Sequence, residues 1–473
     1  MKYPIRRRYI VREKNKSLLK NIGLFTLGSF GSKILSFLLV PLYTAVLSTS
    51  EYGTVDLITS TASLLTPILL LSIFDATLRF GMDDSYKKED VLSTSIRIAV
   101  VGSLVLIGGT VVVAATGIVK IDKIYLTFLC VYFIIGALNQ IFNLYLRAKN
   151  QAGVIAASGV LCTLITCCSN IVLLVIFKWG IIGYMISNTI GVLIQNLYQL
   201  FVGKIYKDVK FLKFRDLTRP MVTYSIPLIA NSLSWWINNA SDRYILTYLR
   251  GIAENGIYSV SYKIPTLLSM FQGIFYNAWS ISAIAEFDEN DNDGFIGTNY
   301  SLYGFISLAT CSSLLVINVP LASFLYKGDY FIAWKCVPFL LLGTVFSGIS
   351  QFEGSLFAAT KNTKSVAKTT VIGAIANTVC NFIFIYYFGA VGAALATLIG
   401  YFVTWCLRTK HLHSFVKMKV NWTTHFVSIV LVLFQTIVAT VKSLPLFQIV
   451  SLALLVLLNK ELLRPIMKKL LKN

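Results

Sequence analysis

The sequence predicts an all-α polytopic membrane protein of about fourteen transmembrane helices, arranged as two parallel six-helix repeats followed by two C-terminal helices. Three observations carry that expectation: the composition, the recurrence of long apolar runs, and a set of short motifs that appears twice. Of the 473 residues, 56% are hydrophobic and 13% charged. The mean hydropathy is +0.71, outside the range of soluble globular chains. Apolar runs long enough to cross a hydrocarbon core, about twenty residues each, recur from Leu18 to Leu463 with short polar breaks. Little chain is left over for a soluble domain.

Taken in order, the runs place helices near 18–47, 54–78, 92–117, 124–146, 153–177 and 181–202. A second set falls near 220–249, 256–285, 296–326, 332–359, 365–387 and 391–414, and a last pair near 423–441 and 444–463. The organisation that follows is a basic N-terminus (1–17), an N-terminal lobe (18–205), a basic linker (206–219), a C-terminal lobe (220–415), the final helix pair (421–463) and a tail (464–473). The first run continues too long, and without an A-x-A site, for a cleaved leader, so it reads as a signal anchor.

The net charge of +21 is scattered through short inter-helix loops, which makes it a topology signal and not a nucleic-acid footprint. With alternate loops summed, the side holding both termini carries about 32 Lys and Arg and the other about six, which places both termini in the cytoplasm. The richest segments run from Lys2 to Lys16 and from Lys204 to Arg219 and include Lys213 and Arg215. An acidic loop, with Glu286, Asp288, Glu289, Asp291 and Asp293, falls on the same side, but carboxylates weigh little in orientation. Basic residues at helix ends read as stop-transfer charges before they read as lipid-binding sites.

The motifs recur at nearly constant spacing. Glu51-Tyr52-Gly53 matches Glu254-Asn255-Gly256, and Gly180-x-x-Gly183-x7-Gly191 matches Gly389-x-x-Gly392-x7-Gly400, at offsets of 203 and 209 residues. Small residues recur in membrane helices simply because they allow close packing, but two matches in register point to duplication of a six-helix unit. Six is even, so both copies enter the membrane in the same direction and form parallel repeats.

Charge inside a membrane helix is expensive and marks function. Counting about 1.5 Å per residue, Lys33 lies about 20 Å into the first helix, near the midplane, where snorkelling is hardest. Arg243 and Lys263 sit toward the outer ends of helices seven and eight, and Arg79 with Asp75 at the cytoplasmic end of helix two. Helix seven carries a polar stripe, Asn231, Ser234, Asn238, Ser241 and Asp242, at i, i+3 or i+4 steps, suited to lining water or binding hydroxyls. Arg243 flanks that stripe, and a local pairing with Asp242 that fixes the helix end is its bland alternative. Lys33, Arg79, Arg243, Lys263, Asn231 and Asn238 are therefore the candidate substrate-binding residues. Asp75, Asp242 and Glu353 are the candidates for ion pairing or for coupling to H+ or Na+. Asn139, Asn143 and Asn188 belong to a wider set of amides that bind either sugars or neighbouring helices.

Other chemistries lack their residues. Gly28-Ser29-Phe30-Gly31-Ser32-Lys33 departs from the nucleotide-binding order G-x-x-x-x-G-K-[ST]. The eight cysteines fall inside apolar runs without metal-ligand spacing and read as small buried residues. His411, His413 and His425 read as surface groups. No cofactor is expected, and no outer loop is long enough for the active site of a sugar-polymerising enzyme.

Phe74-Asp75-Ala76-Thr77-Leu78-Arg79-Phe80, Ser241-Asp242-Arg243-Tyr244-Ile245-Leu246, Asn277-Ala278-Trp279 and Gly389-Ala390-Val391-Gly392-Ala393-Ala394, with the two Glu-x-Gly motifs, resemble the Wzx-type polysaccharide flippases of the multidrug, oligosaccharidyl-lipid and polysaccharide exporter superfamily. The resemblance runs over about residues 18 to 415. It implies two lobes in a V shape and a cationic cavity. It also implies a functional monomer in a bacterial inner membrane that carries undecaprenyl-pyrophosphate-linked oligosaccharide outward by alternating access, for O-antigen or capsule. Arg79 and Arg243 match basic positions of the family pattern and Asp242 the acid beside the latter; Lys33 rests on depth alone. The competing expectations are a multidrug cation antiporter of the same superfamily and a membrane polysaccharide polymerase.

Overall fold

In hydrocarbon a backbone must satisfy its own N–H and C=O groups, so long apolar runs fold as helices. The computed structural model describes residues 31, 33–117, 121–210, 216–285, 287–360, 363–442 and 444–464, which are helical with no strand among them. The basic N-terminus, the first part of helix one, Lys213, Arg215, Glu286 and the tail beyond Arg464 lie outside the described residues.

The first half contains α1 (Lys33–Val46), α2 (Thr49–Leu69), α3 (Ile73–Gly81), α4 (Lys88–Thr116), α5 (Lys123–Ala148), α6 (Ala152–Asn170, prolonged by a π turn, Ile171–Ile176) and α7 (Gly180–Val202). Then follow α8 (Thr218–Arg250), α9 (Ile252–Ser261), α10 (Lys263–Ala285), α11 (Phe295–Val316), α12 (Asn318–Leu325), a 3-10 segment (Gly328–Lys335) and α13 (Val337–Ala359). The chain closes with α14 (Thr363–Leu412), α15 (Trp422–Val441) and α16 (Pro445–Leu458).

Among the described residues six helices are long and apolar enough to cross a membrane, or nine when each of three bent pairs forms one span. Those pairs are α2 with α3, bent by 58°, α11 with α12, bent by 65°, and the 3-10 segment with α13, bent by 51°. The spanning helices leave large apolar side chains exposed, such as Val100, Val101, Leu104 and Val105 on α4 and Phe426 and Phe434 on α15. Such faces on spanning helices suit lipid, and the chain is a multi-pass membrane protein.

The chain packs as two units. One comprises residues 1–39 and 57–233, the other residues 40–56 and 234–473. In the first, Leu70, Ile73, Leu92, Phe133, Ile141 and Tyr145 are the centre of the core. In the second, Leu246, Tyr258, Leu340, Ile385, Ala393 and Ala394 form a corresponding cluster.

The repeated glycines have physical reasons. Gly180 and Gly389 both adopt positive φ, 53° and 56°, a backbone that side chains strain to reach. At Gly389 this breaks α14 into two arms. Gly53 and Gly256 face each other within the second unit: a Cβ on Gly53 would fall on the Ile252 carbonyl oxygen, and one on Gly256 on the Thr49 carbonyl oxygen. The two copies of the first motif thus meet backbone to backbone, which explains why residues 40–56 pack with the second unit.

Candidate functional site

In the first unit the predicted polar groups stand apart from one another. Lys33 is exposed on α1, and no ion-pair partner reaches it among the described residues. Asp75 is half-buried on α3, while Arg79 pairs one turn onward with Asp83 at 3.7 Å. Asn231 is exposed on α8. An amide network runs through this unit: Asn139 donates to Asn196 Oδ1 at 2.8 Å, Asn143 to Asn139 Oδ1 at 2.8 Å, and Gln199 to Asn143 Oδ1 and Ser158 Oγ, both at 2.9 Å. They join α5, α6 and α7.

The second unit buries charge. The helical twist of α8 turns Asp242 inward, where it is 1% exposed. Tyr258 donates its hydroxyl proton to Asp242 Oδ2, Thr397 approaches the same oxygen at 3.4 Å, and the Arg243 N–H donates to Oδ1 at 2.9 Å. Tyr262 and Thr397 extend the network to the Tyr258 hydroxyl at 2.8 and 3.0 Å. Arg243 makes its ion pair with Asp56 of α2, Nη1 to Oδ1 at 2.8 Å, and its guanidinium lies 5.8 Å from the Tyr262 ring centroid. Asn255, from the repeated motif, donates to the Gly53 carbonyl at 3.1 Å and to Asp56 Oδ2 at 3.3 Å. Lys263 is half-buried with its Nζ 6.0 Å from the Tyr52 ring centroid.

A second charged cluster lies among α11, α13, α14 and α15. Glu353 is fully buried. Its Oε1 accepts from Thr409 at 2.6 Å and Tyr300 at 3.2 Å, and Trp405 donates to the Tyr300 hydroxyl at 3.2 Å. Its Oε2 has no partner among the described residues. One residue before Thr409, Arg408 is 5% exposed and donates to the Ser350 carbonyl at 2.7 Å and the Thr370 hydroxyl at 2.8 Å. Asn238, of the predicted stripe, lines a small pocket with Ser347, Ser350, Thr370, Tyr401 and Arg408. The stripe therefore divides: Asn231 is exposed, Asn238 meets the pocket and Asp242 is enclosed.

The surface reading of the histidines holds for His413 and fails for His425, which is 7% exposed. Its ring packs against Tyr300, Trp405 and Trp422, over Gly304, where a Cβ would lie 2.7 Å from its Cε1. The cysteines also depart from expectation: Cys311 and Cys336 are buried, but Cys168 is exposed. An apolar run in a membrane helix faces lipid as readily as protein, so it does not imply burial.

The acidic loop has a structural use. Buried Asp291 accepts from the N–H groups of Ile296, Gly297 and Lys419, each at 2.9 Å, capping α11 and fastening the segment before α15. Asp288 receives the Asn292 and Asn290 N–H groups, which hold its carboxyl below the usual carboxylate range.

Asp56, Tyr258, Thr397 and Arg408 are the site residues that sequence reasoning missed. Asp56 had a signal, since it lies one helical turn past the first Glu-x-Gly motif. Arg408 had none, because beside Lys410 and His411 it looks like one more helix-end charge.

The described residues form a bundle of membrane helices with charged groups buried inside it. The fold is similar to that of the lipid II flippase MurJ in an inward closed conformation, with a TM-score of 0.69 at 16% identity, over 94% of this chain and 99% of that one. It is similar also to an inward-facing MATE multidrug-resistance transporter of the MOP superfamily, with a TM-score of 0.60 at 14% identity, over 82% of this chain and 96% of that one. The chain belongs to the family of polysaccharide biosynthesis proteins, which it matches over residues 18–281. Among curated proteins it is 22% identical over 228 residues to Agl15 of Haloferax volcanii, a "probable low-salt glycan biosynthesis flippase", covering 47% of each chain. The chain spans about half the length of the curated relatives it matches.

Proposed function

We propose that the protein is a flippase that moves a lipid-linked oligosaccharide, a sugar repeat unit on undecaprenyl pyrophosphate, from the cytoplasmic to the outer leaflet by alternating access. The observation that carries this reading is the pairing of membership in a polysaccharide biosynthesis family with the fold of a lipid II flippase. The flippase name of the curated relative supports it, and it makes the chain a transporter and not an enzyme. The setting is a bacterial inner membrane crossed by about fourteen helices with both termini cytoplasmic, as the distribution of Lys and Arg favours. The protein acts as a monomer, and its cargo feeds a surface polysaccharide such as O-antigen or capsule.

Lys33 is the cargo's principal cationic contact. An exposed ammonium on a membrane helix with no ion-pair partner among the described residues suits an anionic head group. Arg79, Arg243, Lys263, Asn231 and Asn238 complete the contact set. Asp75, Asp242 and Glu353 are the groups through which a proton or sodium gradient drives the cycle. The buried carboxylates Asp242 and Glu353, with the MATE-like fold, favour a second reading as a multidrug cation antiporter. The extent of the structural likeness weighs against it, since the MurJ chain matches 94% of this protein and the MATE chain 82%.

The test is transbilayer movement of an undecaprenyl-pyrophosphate-linked oligosaccharide in liposomes holding purified protein, with Lys33→Ala and Arg243→Ala beside wild type. Movement in wild type, reduced more by Lys33→Ala, is the expected result. A lipid that stays in its leaflet while an organic cation crosses under an ion gradient would replace this reading with the antiporter.

A further inference from the structure

Arg408 presents an imbalance that the transport reading does not use. Buried charges are ordinarily paired, yet no carboxylate lies within ion-pair distance of this guanidinium among the described residues. Glu353 acts on it from farther away, and the Glu353 Oε1 is already occupied by Thr409 and Tyr300. Arg408 instead donates to neutral oxygens: Nε to Thr369 Oγ1 at 3.3 Å, Nη1 to the Ser350 carbonyl at 2.7 Å, and Nη2 to the Val366 carbonyl at 3.3 Å and Thr370 Oγ1 at 2.8 Å. A guanidinium carries five N–H donors. These bonds leave one N–H, on Nη1, without a partner among the described residues.

Arg408 belongs to the wall of the pocket that Asn238 also lines. Beside it Ser350 is 3% exposed, and its Oγ has no hydrogen-bond partner among the described residues. Two residues that wall this small pocket, with Tyr401, Thr370 and Ser347, thus hold a cation lacking an anion and an unsatisfied hydroxyl. A guanidinium N–H and a hydroxyl can together bind the two oxygens of one carboxylate, and charge-assisted bonds of this kind are the strong ones. The pocket is small, so it admits a single anionic group and not an oligosaccharide.

We infer that Arg408 and Ser350, with Asn238 at the rim, form a binding site for one carboxylate-sized anionic group inside the second unit. Two sources share that chemistry: the acidic group of a uronic-acid sugar in the cargo, and a free small anion. The first rests on the flippase reading and the second does not.

The experiment is direct binding to the purified full-length protein in detergent, by calorimetry, with sodium glucuronate, glucose, sodium acetate and sodium phosphate as probes. Arg408→Gln removes the cation but also loosens the clamp between α13 and the two arms of α14. Ser350→Ala removes only the free hydroxyl and keeps the carbonyl that Arg408 holds. The expected result is binding of an anion and not of glucose, weakened at least tenfold by Arg408→Gln and about fivefold by Ser350→Ala. Glucuronate binding tighter than acetate and phosphate would assign the site to an acidic sugar; equal affinities would assign it to a free anion, and both support the site. No anion binding in wild type, or binding unchanged in Ser350→Ala, would overturn it. Because this measures binding without flux, its failure is separate from failure of the transport assay.

Discussion

The two units each carry a copy of the repeated glycine motif, with Gly180 and Gly389 at similar positive φ, and differ in their polar chemistry. Around α5, α6 and α7 the first unit joins its helices through neutral amides, Asn139, Asn143, Asn196 and Gln199, with Ser158. The second buries Asp242 with Tyr258, Glu353 with Thr409 and Tyr300, and Arg408 with carbonyl and hydroxyl oxygens. Amide bonds between membrane helices contribute little each, about 0.6 kcal/mol on average, and are a means of packing. Buried charge costs several kcal/mol before its partners offset it, and a chain that keeps it needs it for more than packing. The amides of the first set hold helices together, and the buried charges of the second are the candidates for chemistry.

The largest effect is expected where charge loses its counter-charge. Asp56→Ala removes the ion-pair partner of the Arg243 guanidinium and should destabilise the protein by about 3 kcal/mol in denaturant unfolding in detergent, with most of that recovered in Asp56→Ala/Arg243→Met. If the single substitution is silent, the ion pair is ornamental and the contrast between units weakens. Next come the shared glycines. Gly180→Ala and Gly389→Ala should each lose about 1–2 kcal/mol, the strain of a side chain at left-handed φ, with similar losses in the two units; unequal losses would show that the two glycines are not equivalent. Asn196→Leu, within the amide network, should lose about 0.6–1 kcal/mol, and a loss as large as that of Asp56→Ala would erase the distinction.

Glu353→Gln is the smallest in stability and the sharpest in function. The side chain keeps an acceptor for Thr409 and Tyr300, so unfolding should shift by under about 1 kcal/mol. Flux in liposomes should lose its response to an imposed pH gradient. A variant that still follows the gradient removes Glu353 from the coupling set.

Much of the framework was legible in the chain. The predicted segments fall on helices in the described residues, but those near 54–78, 296–326 and 332–359 are bent pairs and not single helices; Gly180 opens α7 and Gly389 breaks α14 at the repeated motif. The polar partners were not legible. Arg243 stands beside Asp242 in sequence, yet its ion pair is with Asp56, 187 residues away. His425 reads as a surface group next to a helix end, but α15 carries it under Gly304 into an aromatic box. Arg408 looks like a stop-transfer charge until α13 and the first arm of α14 enclose it.

The division follows from the physics of the solvent. Lipid supplies no hydrogen bonds, so each segment must satisfy its own backbone within a few residues, and run length, breaks and repeated glycines determine the helices from sequence alone. A buried side chain is satisfied by whatever another helix brings to it, and periodicity carries no information about that. Only the tertiary structure decided that Asp242 would meet Tyr258 and Thr397, that Asp56 would hold Arg243, and that Arg408 would be enclosed without an anion of its own.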